Sequence, residues 1–296
     1  MPVSSTKDEI GLRATGILFV VATPIGNLDD ITARAVNTLR EVDFVACEDT
    51  RRSRILFEKL HIKTKVLSLH RFSERERSQL VIRRLLKGES GAVICDAGTP
   101  TISDPGALLV TEAYQAGIKV SPLPGPSSIM AALSISGFDC SSFVFRGFIP
   151  KKTREREDFF AGIVAYEMPC VVFETPKRII HSLTIAQKIL GDRTMILVRE
   201  LTKMHEEVLR GSPGQILERL SERPTVKGEI CLVIDGGLQK AVTMDVGVAV
   251  STLMKEGFKG KTLAEEAHKR YGLKKGHAYS TFLQLVRART ADPAED

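Results

Sequence analysis

Tryptophan is absent from this chain, and aromatic residues make up only 6% of its 296 positions. That argues against a binding cleft paved with rings. No apolar run reaches the roughly 18–20 residues that a bilayer span requires. The opening stretch, MPVSSTKDEIGLRATG, lacks the apolar core of a signal peptide. Residues 1–15 read as a disordered leader and the protein as cytoplasmic. The five cysteines include no CxxC pair. Cys47, Cys95, Cys170 and Cys231 sit in or beside apolar runs, so buried reduced thiols are expected instead of disulfides or metal ligands.

Several catalytic signatures are missing as well. No G-x-G occurs, which removes the dinucleotide fingerprint and the Gly-rich turn common in Rossmann-type methyltransferases. No G-x-S-x-G offers a serine nucleophile. Gly260-Lys261-Thr262 ends like a phosphate-binding loop, but Lys255 stands where the first glycine belongs. His205-Glu206-Glu207 is not a zinc motif, because position 209 is Leu. No metal site is expected. A transfer reaction driven by an activated cofactor fits these absences.

What is present is a 43% hydrophobic chain with a net charge of +6. Its length suggests two domains, because single cores seldom grow past roughly 250 residues. Strand-like runs at 17–23, 43–48, 65–69, 91–96 and 119–123 alternate with amphipathic stretches at 31–41, 51–60, 74–87 and 106–116. The run at 143–148 opens a second alternation: helices at 153–165, 176–190 and 213–222, strands at 170–174, 194–200 and 229–234. Such alternation argues for parallel strands covered by helices. The expected organisation is an N-terminal α/β domain at 16–140, a C-terminal α/β domain at 141–237 and a basic helical appendage at 244–290. A linker is expected at 236–243. Between Lys255 and Arg289 nine Lys and Arg face three Glu, so this segment alone carries a net charge equal to that of the whole chain. Further basic clusters are Arg51-Arg52-Ser53-Arg54 and Lys151-Lys152-Thr153-Arg154.

Three loops of the first half are rich in Gly and Pro: Thr23–Asp30, Asp96–Gly106 and Pro122–Ser128. Each follows a strand, and open parallel sheets bind ligands beyond the carboxyl ends of their strands. Gly admits a ligand close to the backbone, and Pro stiffens the loop. The Asp96–Gly106 loop is longer than an ordinary βα turn of roughly 2–6 residues.

These stretches, with ACEDTRRSRILF (46–57), FRGFIPKK (145–152), FETPKRI (173–179), RELTKMHEEVLRG (199–211) and KGEICLVI (227–234), resemble the tetrapyrrole methylase superfamily. The ACEDTR and ELTKxxEE segments point to its RNA-methylating branch over its corrin methylases. The resemblance implies a two-domain α/β fold with S-adenosylmethionine in the interdomain cleft, and a homodimer. It implies 2′-O-methylation of a decoding-centre cytidine (cytidine 1402) in 16S rRNA, within the small ribosomal subunit. Carried over, the cofactor contacts fall on Pro24, Asp96, Ala97, Gly98, Thr99, Pro100, Ser127, Ser128, Phe173, Gly228, Glu229 and Ile230.

A ribose hydroxyl is a poor nucleophile, so a base or a cation that steadies the alkoxide is sought. The candidates are Glu48, Asp49 and Arg51 after the second strand, His70 after the third, and Glu200 and Lys203 in the second domain. Asp49 or Thr50 reads equally as a helix N-cap, and His70 as a surface loop residue. A corrin or porphyrin methyltransferase, with an aromatic-lined cleft, and a non-catalytic RNA-binding assembly factor stand as alternatives. The helical tail is expected to hold RNA, with a dimerisation bundle as the competing role.

Overall fold

A computed structural model describes residues 15–70, 73–237, 246–271, 273 and 275–291. Residues 1–14 of the leader and most of the expected linker lie outside the described residues. So do Lys274 and the side chain of Lys269, two of the basic residues of the tail expected to hold RNA.

The first sheet holds β1 (Ile17–Val21), β2 (Phe44–Cys47), β3 (Val66–Ser68), β4 (Gly91–Ile94) and β5 (Lys119–Leu123), in the order β3-β2-β4-β1-β5. All its pairings are parallel. Parallel sheets are covered on both faces, so their strands read as continuous apolar runs. β2 (FVAC) and β4 (GAVI) are buried at every position. α1 (Ala33–Glu41) and α2 (Thr50–Lys59) cover one face through Ala35, Leu39 and Phe57. α3 (Glu74–Leu86) and α4 (Ala107–Gln115) cover the other through Val81, Leu85, Leu109 and Ala113. Gly91 is required by this packing, since a Cβ there would lie 2.3 Å from the Phe44 ring.

After α5 (Ser128–Ser134) comes the second sheet: β6 (Val144–Phe148), β7 (Cys170–Glu174), β8 (Met195–Arg199), β9 (Glu207–Gly211) and β10 (Ile230–Ile234). Its order is β6-β7-β10-β8-β9. Only β6 and β7 pair in parallel; β10 runs antiparallel to both β7 and β8, and β8 to β9. The expectation of parallel strands here is thus corrected. Alternation of strand and helix fixes layers, not strand direction. The connection from β8 to β9 holds no helix, and a connection that short returns antiparallel.

α6 (Thr153–Val164), α7 (Ile179–Leu190) and α8 (Pro213–Ser221) bury one face of this sheet around Phe160, Ile163, Leu183 and Ile216. The other face is closed by α5, whose Ile129, Ala132 and Leu133 pack on Val171, Ile196, Val198 and Val233. α5 therefore precedes the second sheet in the chain and belongs to its core.

The tail forms three helices, α9 (Val246–Lys255), α10 (Gly260–Tyr271) and α11 (Lys275–Ala291). They pack around Val250, Leu253, Leu263, Ala267 and Ala278. Arg270 pairs with Glu256 and Glu266 at 2.6 Å each. Lys255, Lys259, Lys261, Lys275 and Arg287 are exposed. No helix among the described residues is long and apolar enough to cross a membrane. The five cysteines are free thiols, four of them buried. Burial pushes the thiols of Cys170 and Cys231 up to about 12.

Candidate active site

The loops after β1 and β4 are tied to each other. Thr23 and Gly98 exchange two backbone hydrogen bonds of 2.9 Å, and the buried Thr23 hydroxyl donates to the Cys95 carbonyl at 3.1 Å. Gly98 has φ +83, a conformation that L side chains rarely adopt. Thr99 Oγ1 donates to the Pro126 carbonyl at 3.2 Å, which adds the loop after β5. The loop after β2 joins through the Asp49 amide, which donates to Asp96 Oδ1 at 3.2 Å. Asp96 Oδ2 meets Arg52 Nη1 at 3.2 Å. On the far side, the Glu74 carboxylate on α3 accepts from the Gly106 amide at 2.8 Å and so anchors the end of the long loop. Four strand ends are thus joined into one rim with Asp96 near its middle.

The second domain meets this rim through the loop after β8. Because β10 is antiparallel to its neighbours, its start (Gly228–Ile230) lies beside the ends of β7 and β8. Glu200, after β8, accepts from the Glu229 amide at 2.9 Å, and Lys203 Nζ bridges Glu200 (2.9 Å) and Glu229 (3.2 Å). The Lys203 hydrogen bond holds the Glu200 carboxyl below its usual range. Burial works against the Lys203 charge, but both glutamates outweigh it and raise its pKa. Gly228, at φ +93, leaves no room for a side chain: a Cβ would lie 2.3 Å from Glu200 Cγ. The domains touch where the Asn27 amide donates to Thr202 Oγ1 at 3.0 Å. Gly26 is needed there, since its Cβ would fall 2.4 Å from Lys203 Cγ.

Two cavities lie along this seam. The larger, of about 370 Å³, runs between the domains, within the roughly 300–1,000 Å³ range of small-ligand sites. Its apolar wall includes Phe148, Phe173, Val198 and Ile230, with the two phenylalanine rings edge to face at 5.4 Å. Five carboxylates line it, those of Glu48, Asp96, Asp104, Glu174 and Glu229, against one cation, Arg52. Glu174 is fully compensated: it pairs with Arg178 at 2.5 Å and accepts from the Ser182 hydroxyl and the Thr175 amide.

The smaller cavity, of about 240 Å³, lies along α2. It shares Ile25, Arg52, Asp96, Ala97 and Glu229 with the first. Its charge is more even, with Arg52, Lys59 and Lys203 against Asp96 and Glu229.

Of the expected cofactor residues, Asp96, Ala97, Ser128, Phe173, Gly228, Glu229 and Ile230 line the larger cavity, and Pro24 lines the smaller. Gly98, Thr99, Pro100 and Ser127 line neither. Gly98 and Thr99 tie loops together, Pro100 is buried, and Ser127 caps α5 by accepting from the Met130 amide. Among the candidate catalytic residues, Glu48 reaches the larger cavity and Lys203 the smaller, with Glu200 holding Lys203.

Asp49, Arg51 and His70 line neither cavity. Asp49 is the N-cap of α2, and its carboxylate grips Arg51 at 3.1 and 2.8 Å. The Arg51 hydrogen bonds hold the Asp49 carboxyl down at about 2. His70 is exposed, with its ring 3.3 Å from the Ser73 hydroxyl. Sequence reasoning missed Arg52, the cation common to both cavities. Only the helical register of α2 separates it from Arg51, and that register becomes useful once the sheet order is known. It also missed Asp104, although the loop that holds it was marked by composition, and the Thr175-Pro176 pair, although it lies in a stretch that carries the family resemblance.

Comparison with known proteins agrees with this architecture. Residues 18–217 match the family model of the tetrapyrrole (corrin/porphyrin) methylases. A ribosomal RNA small subunit methyltransferase I of Streptococcus pyogenes is 41% identical over 288 residues, 95% of this chain and 98% of that protein. One from Thermotoga maritima is 40% identical over 221 residues, 75% of this chain and 99% of that protein. The latter has room for the two α/β domains and not for the helical tail. In fold, the chain is similar to diphthine synthase, 18% identical, with a TM-score of 0.57 and coverage of 74% of this chain and 90% of that one.

Proposed function

From a chain that belongs to the tetrapyrrole (corrin/porphyrin) methylases and, among them, to the family of ribosomal RNA small subunit methyltransferase I, we propose an S-adenosylmethionine-dependent 16S rRNA methyltransferase. Its acceptor is the ribose 2′-oxygen of the decoding-centre cytidine 1402. The observation that carries this reading is the pair of joined cavities, one acid-walled and one bearing cations, with Asp96 in the wall they share.

The larger cavity suits the donor. Its carboxylate excess favours a cationic ligand, and Phe148, Phe173 and Ile230 offer apolar surface to a planar ring. Asp96-Ala97, Ser128, Phe173 and Gly228–Ile230 would hold S-adenosylmethionine, which supplies an already activated methyl group. The protein's own contribution is then chiefly position, keeping acceptor oxygen and donor in line. Asp96 and Glu229 stand at the shared wall, where a carboxylate oxygen can take the hydroxyl proton. Arg52 and Lys203 offset the charge that grows on the acceptor oxygen. A paired cytidine must leave its stack to enter such a site.

The same reading carries a homodimer, a cytoplasmic location and the small ribosomal subunit as the form of the substrate. The tail adds RNA affinity through its exposed lysines and arginines, contacting phosphates without reading sequence. Removing residues 246–296 should leave S-adenosylmethionine affinity unchanged. It should flatten the salt dependence of RNA binding by roughly 0.7 log–log units per lost phosphate contact. An unchanged slope with an altered sedimentation mass would assign the tail to dimerisation.

The function itself is tested by mapping 2′-O-methylation along 16S rRNA from cells without this gene and from cells with it restored. The mark at cytidine 1402 should vanish and return. Its persistence without the gene would overturn the reading.

A further inference from the structure

The smaller cavity follows α2 at helical spacing. Arg52, Ile55, Leu56 and Lys59 recur at intervals of three and four, which places them on one face. Over about 10 Å of helix, this face alternates cation, apolar pair and cation. Ile55 is 58% exposed although it is β-branched and apolar. Lys59 is exposed and makes no ion pair with the described residues, whereas the neighbouring Arg51 is locked to Asp49. Arg52 is 63% exposed and reaches Asp96 at the wall common to both cavities.

We propose that this groove is the acceptor subsite and takes one unstacked ribonucleotide of single-stranded RNA. Its base lies against Ile55 and Leu56, its flanking phosphate against Lys59, and its ribose toward Arg52 and Asp96. The assignment rests on the methyltransferase reading above and specifies how that site takes its substrate.

Three features favour a nucleotide. A base offers an apolar face and a phosphate a fixed negative charge, which is the pairing this stripe complements. Within the groove Arg52 and Lys203 are paired with carboxylates, which leaves Lys59 as the cation with no ion pair to the described residues, while the adjoining cavity is lined by more carboxylates than cations, so the two fit ligands of opposite charge. The groove also meets the larger cavity only at the five residues they share, so a ribose at that junction faces the donor cavity directly.

The test uses the full chain, S-adenosylmethionine and small ribosomal subunits lacking the methyl group. Ile55→Asp should raise the KM for subunits about tenfold. Lys59→Ala should raise it several-fold and lower the log–log salt slope of RNA binding by roughly 0.7, while Lys59→Arg restores both. In all three variants the Kd for S-adenosylmethionine should stay within about twofold of the unaltered chain. Both side chains are exposed, and circular dichroism checks that each variant is folded. Unchanged KM values in the first two variants, with the unaltered chain active, overturn the subsite alone. A parallel rise in the S-adenosylmethionine Kd also overturns it and assigns the groove to the donor. No transfer by the unaltered chain overturns the methyltransferase reading, and the subsite falls with it.

Discussion

The two sheets reach the same cleft by different means. In the first, every strand runs the same way, so chain direction alone brings the loops after β1, β2, β4 and β5 to one edge. Backbone hydrogen bonds such as Thr23–Gly98 then tie them together. In the second, β10 opposes both neighbours, and the edge combines two strand ends with one strand start. Its positions are set by ionic clamps: Glu200–Lys203–Glu229 at the rim, Glu174–Arg178 beneath, and Arg199–Glu207–Arg223 across β8 and β9. Among the described residues the buried charged side chains, Arg156 and Glu174, both belong to the second domain; the buried polar residues of the first domain body are Thr23, Ser53 and Ser78. A parallel sheet delivers a site through topology. Its rim uses charge as well, at Asp96–Arg52 and at Glu74, but of the two domains the mixed sheet's is the one that buries charged side chains.

This contrast is broken most forcefully at Glu174. Glu174→Ala leaves the Arg178 guanidinium and the Ser182 hydroxyl without their buried partner. The expected loss is about 3–5 kcal/mol, read as a lowered urea midpoint. A loss below about 1 kcal/mol would show that the clamp is not what sets the second sheet.

In the first domain the corresponding weak point is backbone. Gly98→Val forces a β-branched residue to φ +83 and brings its Cβ to 3.4 Å from Ile25 Cγ2. The strain should cost about 1–3 kcal/mol and loosen the Thr23 bridge. S-adenosylmethionine affinity, measured by calorimetry, should fall at least tenfold, through a displaced loop and not through a blocked cavity. Unaltered affinity would detach this loop from the donor site.

The smallest effect is expected from pH. The Arg223 and Arg199 hydrogen bonds hold Glu207 down at about 2, from an ordinary 4.5. A carboxyl whose folded pKa is depressed stabilises fully above its unfolded pKa, so this contribution is complete above about pH 4.5. It is lost as pH falls toward about 2. Allowing for partial exposure, it is worth on the order of 1–2 kcal/mol. Unfolding free energies of the unaltered chain and Glu207→Gln should differ at pH 6, draw together as pH falls below about 4.5, and converge only at about pH 2. A constant gap would remove Glu207 from the acid response.

Much of the first domain is legible in the sequence, because buried parallel strands are written as apolar runs and their loops as Gly and Pro clusters. β9 escapes that reading: it is an edge strand, and Leu209 is its single buried residue. α5 escapes because its seven residues continue a Pro-Gly-Pro-Ser loop and gain their apolar partners only from a sheet formed later in the chain. The loops of the candidate site were visible for the same reason as the strands. The stripe on α2 was not, since Arg51, Arg52 and Arg54 are alike in composition and differ only in which way the helix turns them. The two readings of Asp49, catalytic group or cap, could be separated only by seeing where its carboxylate points.

The place of β10 between β7 and β8 also governs the order in which a growing chain can become an enzyme. The first sheet has all its strands once residue 123 has been made. The second waits for its central strand, which ends at Ile234. At synthesis rates of about 5–20 residues per second, those roughly 110 residues take about 5–20 seconds. Throughout that interval β7 and β8 lack the partner that joins them, and the apolar side of α5 has no finished surface to cover. The acidic cavity cannot close until the same strand arrives, because Gly228, Glu229 and Ile230 form part of its wall. The last segment of the body to be translated is therefore the one that completes both the fold and the site, and a chain stopped short of it has half of each.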